Sequence, residues 1–84
     1  MTVVVFKRKS EVFSFMESAK NAGIGGKVVA VPKEIKIGCG LAVGLSDNYS
    51  VAAGSLIRSG DYRTFYGIFK IKRNGFKSSV AKIF

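Results

Sequence analysis

The sequence predicts a small α+β domain with four strands and two helices, in the order strand, helix, strand, strand, helix, strand. Three observations lead to this prediction: short runs of β-branched residues, two amphipathic segments that each precede a glycine, and one alternating aromatic run in the second half. A chain of 84 residues supports one core between two layers.

The first half predicts two strands and a helix. Residues 3–6 form a β-branched and aromatic run that is typical of a buried central strand. Residues 10–22 form a helix with Ser10 as N-cap, Glu11 near the positive end of the helix dipole and Gly23 as left-handed C-cap. Residues 27–31 form the second strand, which ends at a proline. The residues that recur at three- and four-residue spacing along this helix are Val12, Phe13, Met16, Ala19 and Lys20.

The second half repeats this order. Residues 41–45 have strand character, and Ser46 or Asp47 can cap a second helix that ends at Gly60. Gly54 inside this helix costs up to about 1 kcal/mol relative to alanine. Residues 64–72 alternate as a fourth strand. The expected apolar face of the second helix contains Tyr49, Val51, Ala52, Ala53, Leu56 and Ile57.

This order of elements predicts a ferredoxin-like βαββαβ fold, a two-layer sandwich with a four-stranded antiparallel sheet and both helices on one face. Right-handed crossovers place the first and third strands in the centre of the sheet. Residues 1–72 then form the domain, and residues 73–84 form a basic C-terminal extension. The extension is either a flexible tail, a cover for the open sheet face or a partner contact.

The composition excludes several kinds of chemistry. The chain has no histidine and one cysteine, so it cannot build a zinc tetrahedron, a Ser-His-Asp relay or an internal disulfide. Five scattered carboxylates are a poor metal site, and we expect neither metal nor cofactor. The net charge of +9 favours an acidic partner. Apolar residues precede the first basic cluster, the reverse of a signal peptide, and no run could cross a membrane, so we expect a cytoplasmic protein.

Cys39 is the candidate catalytic residue. A buried, inert thiol is one interpretation. The neighbouring Gly38 and Gly40 instead favour a displayed loop, and Lys33 and Lys36 lie close enough in sequence to favour the reactive thiolate. Without a histidine the chain has no obvious base to activate water, so we expect no stand-alone catalytic activity. An isolated thiolate can still accept a group from one protein and pass it to another, as a persulfide or its selenium analogue does.

Several segments resemble a family of small bacterial domains described as selenium/sulfur carrier-like. The segments are Ala22-Gly23-Ile24, Val31-Pro32-Lys33-Glu34-Ile35, Gly38-Cys39-Gly40-Leu41-Ala42 and the closing Gly67-Ile68-Phe69-Lys70-Ile71. The similarity covers roughly residues 3–71. It implies a ferredoxin-like fold, Cys39 as the atom that bears sulfur or selenium, and Pro32, Lys33 and Glu34 as residues that shape its loop. The implied partners are sulfur or selenium donor and acceptor proteins.

Two other functions stay open from the residues. A nucleic-acid-binding module would use Phe65, Tyr66 and Phe69 together with the basic residues Arg63, Lys70, Lys72, Arg73 and Lys77. Sheet packing is the commoner explanation of such aromatics, and a solvated surface also explains the basic surplus. An interaction domain would instead pair its apolar tail or an edge strand with a second copy. We therefore expect a monomer or a weak homodimer.

Overall fold

A computed structural model describes residues 1–35, 40–75 and 77–84. This part of the chain forms two α-helices, one short 3-10 helix and five strands. In chain order the elements are β1 (Thr2–Phe6), α1 (Lys9–Asn21), β2 (Lys27–Ala30), β3 (Leu41–Leu45), a 3-10 helix (Asp47–Tyr49), α2 (Ser50–Ser59), β4 (Phe65–Asn74) and β5 (Lys77–Lys82). No helix among these residues is both long and apolar enough to cross a bilayer.

The sheet has the strand order β2-β3-β1-β4-β5, and every neighbouring pair is antiparallel. The predicted α+β class, the antiparallel sheet and the inner positions of the first and third strands are confirmed. The predicted number of four strands is wrong, because β5 lies beside β4 with Ile71 opposite Val80. The outer edge of β4 offers unpaired N–H and C=O groups, and β5 satisfies them.

The missed strand carries a weak apolar pattern, because five of its six residues are lysine, serine or alanine. Its turn has a clearer signature. The dipeptide Asn74-Gly75 is a common hairpin signal, and Gly75 has a φ of +66°, which favours glycine. Residues 73–84, expected to be an extension, therefore contain the last residues of β4 and all of β5.

The main core lies between the helices and one face of the sheet. Phe15 of α1 is fully buried, and its ring centroid lies 5.6 Å from that of Phe6 on β1. Tyr62 completes this aromatic cluster at 5.5 Å from Phe6. The buried side chains around the cluster are Val4, Val12, Ala19, Ile24, Val43, Leu45, Ala53 and Ile68.

The predicted helix faces are partly wrong. In α1, Phe15 is buried, whereas the expected Phe13 is 54% exposed. Residues 12–16 contain two adjacent apolar stripes, and helical spacing alone does not decide which stripe meets the sheet. In α2, the expected Val51 is 74% exposed, and Ala53 is buried.

The ends of α1 show one wrong and one confirmed prediction. Ser10 is not the N-cap, because α1 begins at Lys9 with no side-chain cap. Glu11 instead accepts hydrogen bonds from the N–H groups of Arg63 and Thr64 at 3.0 and 2.8 Å, and from the Thr64 hydroxyl at 2.8 Å. This carboxylate therefore joins the start of α1 to the loop before β4. At the other end, Gly23 has the predicted left-handed conformation, with φ of +79°.

The C-terminal residues continue past β5 and reach α2. The N–H of Ile83 donates to the carbonyl of Ile68 at 2.8 Å, and the Phe84 ring lies against Gly54. A Cβ atom on Gly54 would lie 2.8 Å from the ring. This close approach explains a glycine in the middle of a helix, where its intrinsic cost is highest.

Candidate functional site

The candidate site is the connection between β2 and β3, which contains Cys39. Its base is closed by a hydrogen bond of 3.0 Å from the N–H of Val31 to the carbonyl of Gly40. Inside the connection, the N–H of Ile35 donates to the carbonyl of Pro32 at 3.0 Å, which forms a tight turn. Neighbouring strands therefore hold both ends of the connection in fixed positions.

Ile35 fastens this connection to the face of the sheet that has no helices. Its side chain is only 6% exposed, and it belongs to a second apolar cluster with Val3, Val5, Ala42 and Phe69. The sequence suggested that the C-terminal extension could cover this face. Among the described residues, Ile35 of the β2–β3 connection packs there, together with Val80 of β5 at the margin.

The structure describes some of the predicted site residues but not all. Pro32 is half-buried, Lys33 and Glu34 are exposed, and Gly40 is exposed with φ of +79°. This φ strains any residue with a side chain, so glycine is required there for its backbone conformation. Gly38 and Cys39 lie outside the described residues, as does Lys36.

Two open grooves border the turn at residues 32–35 on the helix-free face. One has a volume of about 440 Å³, and among its lining residues are Met1, Val3, Val29, Val31, Pro32 and Ile71. The other, which we call the hairpin groove, has a volume of about 350 Å³. It is lined by Glu34, Ile35, Tyr66, Phe69, Val80 and Lys82. A molecule bound in either groove would contact the connection that contains Cys39.

The described members of the predicted basic set, Arg63, Lys70 and Lys72, do not all lie together. Arg63 lies in the loop before β4 and forms an exposed ion pair with Asp61 at 3.8 Å. Lys72 lies near the other end of β4, roughly 23 Å along the strand from its first residue, Phe65. Lys70 lies opposite Thr2 in the sheet. The side chains of Arg73 and Lys77 lie outside the described part of the structure.

The three aromatics of the predicted nucleic-acid surface also separate. Phe65 packs against Phe6 with ring centroids 5.9 Å apart, on the helix side. Phe69 is 7% exposed on the opposite face, and Tyr66, 39% exposed, stacks on it at 6.1 Å. The buried residues of the central strands on the helix-free face are aliphatic, including Val3, Val5 and Ala42. The described residues therefore lack the row of exposed rings on which bases stack.

The pKa of Asp47 is clearly shifted in the fold. Its carboxylate accepts a hydrogen bond of 2.8 Å from the Thr2 hydroxyl and pairs with the N-terminal ammonium at 3.3 Å. The Thr2 hydrogen bond is the main cause that lowers the pKa of Asp47, and the ammonium adds to it. Asp47 thus ties β1 to the 3-10 helix. Among the described residues, no cluster of three or more acidic side chains could hold a metal ion.

Comparison with known proteins identifies the family. No curated protein and no solved structure gives a significant match. A family model with the description "Putative Se/S carrier protein-like" matches residues 1–64, which include β1, α1, β2, β3 and α2. The β2–β3 connection with Cys39 lies inside the match, and β4 and β5 lie beyond it. Since 64 of the 84 residues match, the chain belongs to this selenium/sulfur carrier-like family.

Proposed function

We propose that the protein carries sulfur or selenium as a persulfide or perselenide on Cys39. In the loading step, the Cys39 thiolate attacks the terminal sulfur of a donor persulfide. The donor S–S bond breaks, a new S–S bond forms on Cys39, and the donor leaves as a thiolate. In the unloading step, a nucleophile of the acceptor takes this terminal sulfur, and the Cys39 thiolate returns. Neither step needs an external oxidant or reductant, and selenium follows the same course.

Membership of the carrier-like family is the observation that carries this proposal, because the matched residues include the sole cysteine of the chain. The described ends of the connection support it. Gly40, directly after Cys39 in sequence, is exposed, and Ile35 holds the preceding turn on the sheet. The described ends of the connection are therefore held by neighbouring strands and by the sheet face.

The charge of the chain suits this chemistry. The net charge of +9 favours the anionic thiolate over the neutral thiol, and the thiolate is the nucleophile. Lys33, six residues before Cys39 in the sequence, is exposed. The chain has no histidine, so we assign acid-base chemistry to the donor and acceptor proteins. A single thiol stays reduced in the cytoplasm, where we place this activity.

Intact-mass spectrometry tests the proposal directly. Purified protein is incubated with a cysteine desulfurase and cysteine, or with the same enzyme and selenocysteine in a parallel sample, and is then measured without reductant. We expect an added mass of about 32 Da for sulfur or about 80 Da for selenium, removed by dithiothreitol. Cys39→Ser is the matched control, because it replaces only the sulfur atom, and it should gain neither mass.

A second measurement distinguishes a reactive thiol from an inert one. We expect folded protein to react with iodoacetamide at neutral pH at least as fast as a free cysteine does. A thiol that reacts only after urea unfolding would contradict the proposal. So would a mass increase that is equally large in Cys39→Ser.

A further inference from the structure

We infer that the outer edge of β2 pairs with the same edge of a second copy of this chain, in antiparallel orientation. The inference is independent of the proposed function, because it rests on the backbone and side chains of β2 alone. The strand order places β2 at one edge of the sheet and β5 at the other. Among the residues that the structure describes, no strand lies beyond β2, so its outward N–H and C=O groups have no strand partner.

The backbone register shows which residues of β2 face outward. The N–H of Val31 donates to the carbonyl of Gly40 at 3.0 Å, so the backbone groups of Val31 point towards β3. In an antiparallel ladder this direction alternates from residue to residue. Val29 therefore also points towards β3, whereas Val28 and Ala30 point away from the sheet. A strand placed beside β2 would form its hydrogen bonds with Val28 and Ala30.

The side chains along this edge are apolar on both faces of the sheet. Val28 packs at the margin of the helix-side core, and Val29 and Val31 pack at the margin of the second cluster; all three are only partly buried. On the helix side, Phe13 is 54% exposed and lines a groove of about 380 Å³ with Gly26, the residue directly before β2. A strand from a second copy would remove apolar surface along this edge from water, which is the main favourable term in protein association.

The other edge of the sheet is better protected against pairing. β5 has a lysine at each end and a serine at two of its four inner positions, and such polar and charged residues weaken the pairing of an exposed edge. β2 has one lysine, Lys27, at its first position, and the next four residues of the chain are all apolar. Of the two edges, β2 is therefore the one that favours strand addition.

A second copy fits this edge better than a charged partner does. The groove on the helix side includes Glu17 and Lys20 in its lining, and the groove on the other face includes Lys33 and Glu34. Each groove thus contains one charge of either sign, and neither selects an acidic or a basic segment. An apolar strand matches this edge, and β2 of a second copy is such a strand and satisfies two-fold symmetry.

A register centred on Val29 pairs the two copies without facing like charges. Val28 then lies opposite Ala30 of the second copy, and both of these symmetric pairs exchange N–H···O bonds. Lys27 lies opposite Val31 of the second copy. The two Lys27 residues are therefore four positions apart, roughly 13 Å along the strands, which exceeds the screening length of about 10 Å at 0.1 M salt.

Sedimentation equilibrium on the Cys39→Ser protein tests the pairing without interference from intermolecular disulfides. We expect the average mass to rise from one copy towards two between about 10 μM and about 1 mM, because a short edge forms a weak dimer. Each copy has a net charge of +9, so screening should strengthen the association at least about threefold between about 0.05 M and about 0.5 M salt. A mass of one copy at every concentration, or an association that weakens with salt, would overturn the inference.

Two substitutions at the exposed Ala30 locate the contact. Ala30→Pro removes an outward N–H and leaves the bonds between β2 and β3 in place, so it should weaken the dimer at least about tenfold. Ala30→Val is the matched control, because it keeps this N–H and favours a strand, and it should dimerise at least as well as the parent. Circular dichroism and thermal unfolding establish that both variants fold. Equal dimerisation of the two folded variants would overturn the inference.

Amide hydrogen exchange on the Cys39→Ser protein decides the question even where Ala30→Pro fails to fold. The amides of Val28 and Ala30 should exchange at least about threefold more slowly at about 1 mM than at about 10 μM. Val80 is the internal control: it lies opposite Ile71, whose N–H donates to the carbonyl of Met1 at 2.8 Å, so the Val80 N–H points outward from the free edge of β5. Slower exchange at Val80 alone would assign the contact to β5 and overturn the inference. Unchanged exchange at Val28 and Ala30 would overturn it as well.

Discussion

Replacing Ile35 with alanine tests whether the connection that contains Cys39 is held on the sheet. Ile35 is 6% exposed, so Ile35→Ala removes about three buried carbon groups at about 0.8 kcal/mol each, or roughly 2.5 kcal/mol. When a rigid core leaves a cavity, the loss of stability rises to about 5 kcal/mol, but a connection at the surface can move to fill the space left by the side chain. We therefore expect a loss of about 2.5 kcal/mol in the free energy of unfolding.

Urea and thermal unfolding measure this loss. For a domain of this size, about 2.5 kcal/mol corresponds to a decrease in Tm of roughly 10–20 °C. Trypsin cleavage after Lys33 reports on the connection itself, and it should accelerate in Ile35→Ala under conditions where the domain stays folded. Val51→Ala is the control, because Val51 is 74% exposed on α2 and its loss should stay within about 0.5 kcal/mol. A change in Ile35→Ala no larger than in Val51→Ala would refute the packing of Ile35 on the sheet.

Two further predictions concern stability. Gly54→Ala should stabilise the protein by about 1 kcal/mol through helix propensity, but only in a Phe84→Ala background, because in the wild type the new Cβ would lie 2.8 Å from the Phe84 ring. Equal changes in the free energy of unfolding in both backgrounds, measured in urea, would refute the contact. Asp47→Asn should lower the urea midpoint at neutral pH, and this loss should shrink as the pH falls below 3.8, the ordinary carboxyl pKa. The pKa of Asp47 is lowered in the fold, so its stabilisation is present above the usual carboxyl pKa and is lost as the pH falls through the folded pKa. An unchanged difference across that range would contradict the Thr2 bond.

Local patterns were sufficient for most of the element order. The apolar run at β1, the helix that precedes Gly23, and the strand at Leu41–Leu45 each carry their own signature, and all three are present in the structure. The carrier-like family was also recognisable, because its resemblance rests on short segments around Pro32 and Cys39. Whether Cys39 bears sulfur is a prediction for the assays above.

Other features depend on contacts between distant residues. Ser10 has the right chemistry for an N-cap, yet α1 starts one residue earlier. The side chain that accepts hydrogen bonds at that end is Glu11, and its donors lie more than 50 residues further along the chain. Phe13 and Phe15 are indistinguishable by hydropathy, and only the position of the sheet selects Phe15 for the core. β5 was missed because its own side chains are mostly polar, while its pairing satisfies the backbone edge of β4.

The sequence by itself determined the α+β class, the inner positions of β1 and β3, the absence of histidine chemistry and the family, since each follows from local patterning or composition. The tertiary structure decided that Ile35 lies on the helix-free face and that a fifth strand extends the sheet. Ile35 and the fifth strand both line the hairpin groove. The physical reason is that burial and backbone pairing each depend on two segments in contact, whereas the pattern of residues along the chain describes one segment at a time.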